Sequence, residues 1–435
     1  MFENIIDQGA VIQLRDDIQN GKNAPSMLFY GPVGTGKGSA SLELARVLSC
    51  EETKNNMRGD WKCTCSSCDR HRFLQHEDLL SIGNRSFAAE IAACNKTFLK
   101  NTENQNGKLL FYRSIRKLML RFSPVLMEDD PKLGKFASVL QSLDESLNDF
   151  LLNSNTMERS ALEKLCNSLI KNALTLESEG ISNAVPIAQI RKASYWCRLA
   201  PNGRRKTLII ENAQSMRDEA RNSLLKLLEE PPPSVCIVLT AERREAIMPT
   251  ILSRLRPYRF LKRSEESEKS VIRRVFQEEG NNLSEYLDSF MPQSTEKLYP
   301  LAAWFIVSLA RLCVISAKKK GIEPVPEILN LLGERYAPIA EKSGYEKSVK
   351  TAAVIKTIVS QSNNFEESSF SRFMKICLDL IGAAARNSNN HQFAAYNDIF
   401  RKYINEAVTA VDVLNINAAI ALESLVYKLK RGFNG

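Results

Sequence analysis

The stretch from Ser26 to Ser39, SMLFYGPVGTGKGS, constrains this chain more than any other. An apolar run, Met27 to Tyr30, leads into a glycine-rich loop with the spacing G-x-x-x-x-G-K, carried by Gly31, Gly36 and Lys37. Glycine lets the backbone turn tightly and approach a ligand closely, so that backbone N–H groups at a helix start can wrap phosphate. The lysine adds a point charge for the outer phosphates. The candidate nucleotide contacts are Gly31, Pro32, Val33, Gly34, Thr35, Gly36, Lys37, Gly38 and Ser39. The position after the lysine should carry a hydroxyl for Mg²⁺; here it is Gly38. The loop is built to hold a nucleotide and poorly equipped to place a metal.

A chain of 435 residues with 44% apolar side chains has the length for two to four domains with real cores. The net charge of +9 leans mildly towards an acidic partner such as nucleic acid. No basic, apolar leader opens the sequence, and no run of about 18 apolar residues is evident, so a cytoplasmic chain without a membrane segment is expected. Ten cysteines in such a chain are not expected to form disulfides. Four of them, Cys50, Cys63, Cys65 and Cys68, crowd into one window, where closely spaced thiolates suit a structural Zn²⁺. Buried, idle thiols are the plainer alternative, and His71 could replace one sulfur. His76, in His76-Glu77-Asp78, reads as a turn cap before a second strand rather than as a catalytic base.

Helices are expected at 2–22, 39–49, 183–199 and 217–229, and strands at 207–210, 235–240 and 258–260. Alternating strands and helices imply an α/β fold, a parallel sheet with helices on both faces. Between them, residues 84–182 read as an inserted helical subdomain. Its basic residues Arg113, Arg116, Lys117 and Arg121 suit either a DNA contact or a solvated helix face. Glu211 and Asn212 follow the strand Thr207–Ile210, where a P-loop nucleotidase carries an Asp for Mg²⁺ and a Glu for the attacking water. Glu211 could still reach a metal, whereas an Asn cannot act as a general base. Beyond residue 262 the chain reads as almost wholly helical, with one run at 263–290 and a bundle after it.

In order along the chain, GPVGTGK at 31–37, the four-cysteine insertion, His76-Glu77-Asp78, NSLLKLLEEPP at 222–232, TILSRL at 250–255 and Asn415-Ile416-Asn417 resemble the AAA+ subunits of the bacterial DNA polymerase III clamp loader, of the gamma/tau and delta-prime kind. The resemblance covers 1–83 and 183–262 well and the rest loosely; 84–182 has no evident counterpart. It implies an AAA+ domain at 1–262 with a zinc module at 50–76, a helical lid at 263–335 and a collar at 336–435. It also implies ATP as the nucleotide, although the loop's departures count against magnesium. The implied partners are the other subunits of a hetero-pentameric ring, the sliding clamp and primer-template DNA. Arg254 matches the family's trans arginine finger, against the alternative of a locally paired structural arginine. Gly38, the Glu211-Asn212 pair and the missing arginine at Gln293-Ser294-Thr295-Glu296 fit the non-hydrolysing delta-prime type; an ATP-hydrolysing gamma/tau-type motor is the alternative.

Overall fold

A computed structural model describes residues 1–52, 59–129, 133–182, 184–290, 293–319, 321, 327–342, 344–345, 350–362, 369–386, 392–412 and 416–432. The chain forms two compact units, Met1–Met291 and Pro292–Gly435.

The first unit is built on five parallel strands: β1 (Ser26–Tyr30), β2 (Leu79–Gly83), β3 (Lys206–Glu211), β4 (Val235–Ala241) and β5 (Arg256–Arg259), in the order β2-β3-β4-β1-β5. β3 and β4 are buried along their whole length, as apolar runs in a sheet covered on both faces must be. Leu28, Leu208, Ile210 and Leu239 pack in one core with residues of the helices Ile187–Arg198 and Asp218–Glu229. Met27, Phe29 and Val238 face the other way, against Leu44 and Leu48 of the helix Lys37–Ser49. The register sets Gly83 beside Glu211 and Tyr30 beside Ala241 and Arg259. The carboxyl ends of the strands therefore share one edge, where open α/β sheets take ligands.

The helices Ala88–Lys100, Gln105–Met119, Leu133–Asn153 and Arg159–Gly180 make up most of the 84–182 stretch. They close on a ring cluster in which Phe150 meets Phe98 and Phe111 edge-on, with centroids 4.9 and 5.4 Å away. Val271, Ile272, Phe276 and Leu283 join the same core. The single helix expected at 263–290 is instead Glu265–Val271, a π-helical turn at Ile272–Phe276, and Leu283–Asp288. The break falls at Gln277, which is left-handed (φ 55°), and Asn282 caps the last piece. Because these residues bury their apolar side chains in the first unit, the chain does not divide at 262/263. The other expected boundary, 335/336, falls inside the helix Glu327–Glu341. At the N-terminus the helix expected at 2–22 is only Gly9–Gln19, preceded by left-handed turns at Phe2 and Asp7.

The second unit is a bundle of the helices Gln293–Lys319, Glu327–Glu341, Thr351–Ser362, Ser369–Arg386, Gln392–Asp412 and Ala418–Gly432 around Phe305, Leu332, Met374, Phe400 and Leu425. Leu298–Lys319 is long and apolar enough to cross a membrane, contrary to the expectation that no such run exists. Trp304, Phe305 and Leu309 are buried in the bundle core, which accounts for their apolar character.

Phe150→Ala should cost about 3–5 kcal/mol of stability, since it removes a fully buried ring and leaves a cavity between two others. Denaturant unfolding measures this, and a loss under about 1 kcal/mol would contradict the packing described.

Candidate functional site

The loop after β1 owes its shape to its glycines. A Cβ at Gly31 (φ 149°) would sit 2.0 Å from the Phe260 carbonyl oxygen, so no side chain fits there. Gly36 (φ 93°) opens the helix Lys37–Ser49 in the left-handed region. Thr35 Oγ1 donates to the Pro32 carbonyl at 2.8 Å, closing the turn, and Val33 projects into solvent at its tip. Lys37 Nζ donates to the Gly31 and Pro32 carbonyls, both at 2.6 Å, which holds the ammonium over the loop. Burial pulls the Lys37 pKa down to about 8, against the attraction of Glu242 and Glu211. Gly38 and Ser39 lie in the first turn of the helix. Arg263, just past β5, donates to the carbonyls of Gly34 and Ile6 and pins the loop from outside. Nothing in the loop's motif points to that arginine.

Glu211 ends β3 and is buried. Its carboxylate does not wait for a metal: it accepts a hydrogen bond from Arg121, whose other nitrogen donates to Ser81 Oγ at 2.7 Å. Arg85, on the segment after β2, and Lys117 both pair with Glu90. Burial alone would raise the Glu211 pKa, but Arg121, Arg85 and Lys117 hold it below the usual carboxylate value. A Cβ at Gly38 would lie 2.8 Å from Glu211 Oε1 and 3.4 Å from Arg85 Nη1. Asn212 is left-handed (φ 53°); its N–H meets Thr240 Oγ1 at 3.2 Å and its amide donates to Asn84 at 3.2 Å. It is an anchor in the place of a base.

Arg113, Arg116, Lys117 and Arg121 form neither a DNA-facing row nor a solvated face. Arg113 donates to the carbonyls of His71 and Arg72, Arg116 pairs with Asp144 at 2.7 Å, and Lys117 and Arg121 reach Glu90 and Glu211. Each turns inward because carboxylates and carbonyls distant in sequence line up opposite it.

The Sγ atoms of Cys50, Cys63, Cys65 and Cys68 all lie within 4.8 Å of one another, and those of Cys50 and Cys63 are 3.7 Å apart. A tetrahedral ion at the usual Zn–S distance sets its sulfurs about 3.8 Å apart, so the four thiols fit structural zinc. His71 stays outside that cluster, stacked on His76 at 4.1 Å. Arg46, on the phosphate-loop helix, ties the cluster down. It makes a two-pronged pair with Glu43 (2.6 and 2.9 Å) and donates to the carbonyls of Gly59 and Asp60 and to Cys68 Sγ at 3.1 Å. His76 accepts at Nδ1 from the Asp78 N–H, so its Nε2 proton points at Ser67 Oγ. Asp78 accepts from the N–H groups of Asn202 and Gly203 and fixes the turn before β3. The motif is structural, as a turn cap should be.

Arg254 follows the helix Pro249–Leu252 and is half-buried; it pairs with Glu229 at 2.6 Å and donates to the Thr250 carbonyl and Ser253 Oγ. The side chains at 293–296 and Asn415 lie outside the described residues.

A glycine-lysine loop between an interior parallel strand and its helix, at the carboxyl edge of this sheet, defines a P-loop nucleotide-binding-type domain. Comparison with known proteins narrows that class. Residues 6–132 and 138–264, more than half of the chain, match the family model described as DNA polymerase III, delta subunit, and the chain belongs to that family. The matched residues include nearly all of the 84–182 stretch, for which the sequence alone suggests no counterpart. Over 80 residues the chain is 34% identical to "DNA polymerase III subunit delta'" of Pseudomonas aeruginosa, covering 18% of this chain and 24% of that protein. Over 55 residues it is 38% identical to "Replication factor C small subunit" of Thermofilum pendens, covering 13% and 17%. The matches thus span a quarter or less of these relatives' lengths. A crystal structure of a DNA polymerase III, gamma subunit-related protein from Thermotoga maritima aligns at 17% identity and a TM-score of 0.28, covering 57% of this chain and 80% of that one.

Elemental analysis should find one zinc per chain. Cys68→Ser should lose it and lower the unfolding temperature by roughly 5 °C or more, because metal binding is folding free energy; a metal-free wild type of unchanged stability would refute the assignment.

Proposed function

We propose that this chain is a subunit of the DNA polymerase III clamp loader that does not turn over ATP at its own loop. On this reading it stands in a cytoplasmic ring with other subunits, helps open the sliding clamp and set it on primer-template DNA, and lends Arg254 to a neighbour's nucleotide. The second unit would form the collar that holds the ring.

The observation that carries the reading is the engagement of Glu211 by Arg121, with Asn212 beside it. Hydrolysis needs an acid free to hold a metal and a base or water-positioning group next to it; here the acid is taken and its neighbour is an amide. Membership of the DNA polymerase III, delta subunit family and the names of the two relatives support the rest.

The role of Arg254 rests on chemistry and position. A guanidinium is always charged, and its planar fork suits the spread charge of a transferring phosphoryl group. The pairing with Glu229 is partly exposed, so it is weak enough for a stronger anion to displace.

Arg254→Ala should therefore lower the DNA-stimulated ATPase of a reconstituted complex by roughly threefold or more. Unchanged turnover with the Arg254 variant would count against the finger. Turnover by the isolated chain that Lys37→Ala abolishes would favour a motor subunit.

A further inference from the structure

The corner beside the phosphate loop that a magnesium ion would use is filled by the protein's own cations. Glu211 Oε1 and Arg85 Nη1 occupy the space that a side chain at Gly38 would enter, 2.8 and 3.4 Å from its first carbon. A loop hydroxyl cannot be added there without displacing them. Magnesium does not fit this corner. It demands a near-octahedral shell of oxygens, while the carboxylate at the tip of β3 is bonded to Arg121, with Arg85 and Lys117 close enough to bias its charge.

The charge balance then favours an anion. Lys37, Arg85, Arg121 and Lys117, the last with a pKa that burial pulls down to about 7, stand against the three carboxylates Glu90, Glu211 and Glu242. Lys37 spends two of its three protons on Gly31 and Pro32, which leaves the third for a phosphate oxygen. Arg85 is a third exposed, the most accessible of the three cations around Glu211. Arg85 at the Gly38 corner and Arg121 on Glu211 both belong to the stretch 84–182, which gives that stretch a task at the loop.

We propose that this stretch supplies fixed cations in the metal's place, so that the loop binds the polyphosphate of a nucleotide free of metal. The inference rests on the reading that this loop performs no hydrolysis, and it predicts an inverted metal dependence.

ATP titrated calorimetrically into the full chain tests it, in EDTA and in excess MgCl₂. Binding should be roughly tenfold tighter in EDTA, because the uncomplexed tetra-anion brings more charge to cations that are already in place. Binding that requires Mg²⁺, or no binding at millimolar ATP, would overturn the inference; either result without turnover leaves the non-hydrolysing reading intact. Arg121→Met should free Glu211 and shift the preference towards the magnesium complex, and an unchanged preference in the folded variant would also overturn it. Should that variant fail to fold, Arg85→Met at the more exposed position should weaken metal-free binding severalfold, and undiminished affinity in EDTA would again refute the assignment.

Discussion

The carboxylate at the end of β3 sets the terms for everything around the phosphate loop. Glu211 is buried at the tip of a strand flanked on both sides, and an ionised group there must be compensated or it costs several kcal/mol. Compensation comes from Arg121, which lies just past the helix Gln105–Met119 and crosses to the sheet edge. Room comes from two glycines. A Cβ at Gly83 would fall 2.7 Å from the Glu211 carbonyl oxygen, and one at Gly38 would strike the carboxylate itself. The longer acid, the absent loop hydroxyl and the buried arginine are therefore one linked arrangement. Restoring any one of them to the common pattern would clash with the other two or leave them unpaired.

A second arginine plays the same organising part on the other side of the phosphate-loop helix. Arg46 spends its donors on Glu43, two carbonyls of the cysteine loop and Cys68, all but the Asp60 carbonyl in buried contacts. Glu43 in turn accepts from the Phe2 N–H. The cysteine cluster, the N-terminal turn and the helix that starts at Lys37 are thereby one rigid piece. The cluster's distance from chemistry does not make it incidental: it fixes the helix whose first turn shapes the loop.

Much of this was legible in the sequence, and the failures have a pattern. The strands, the loop, the cysteine cluster and the turn-capping role of His76 are local or nearly so: short apolar runs, glycine spacing and a turn residue announce them. Arg121 and Lys117 were not legible. Their spacing on a polar helix face is what a solvated helix also shows, and only the fold brings Glu211 and Glu90, distant in sequence, against them. Arg85 and Arg263 were missed for the same reason, since each acts on a loop far away in the chain. The interrupted segment at 263–290 reads as one helix by composition. It breaks because Ile272 and Phe276 are drawn into the core of the 84–182 helices, a tertiary demand that outweighs propensity.

Replacing a metal with guanidinium groups separates two properties that a nucleotide site usually joins. A fixed cation offers charge and hydrogen-bond donors, which is what holding phosphate needs. It has no coordination shell, so it cannot gather a carboxylate, two phosphate oxygens and a water around one centre. Binding can persist while the geometry for transfer is lost. Arg254 stands outside this constraint, on the segment that leads into β5, with a partly exposed partner. On the proposed reading, a domain arranged in this way keeps an unreactive loop of its own and offers a cation to chemistry elsewhere.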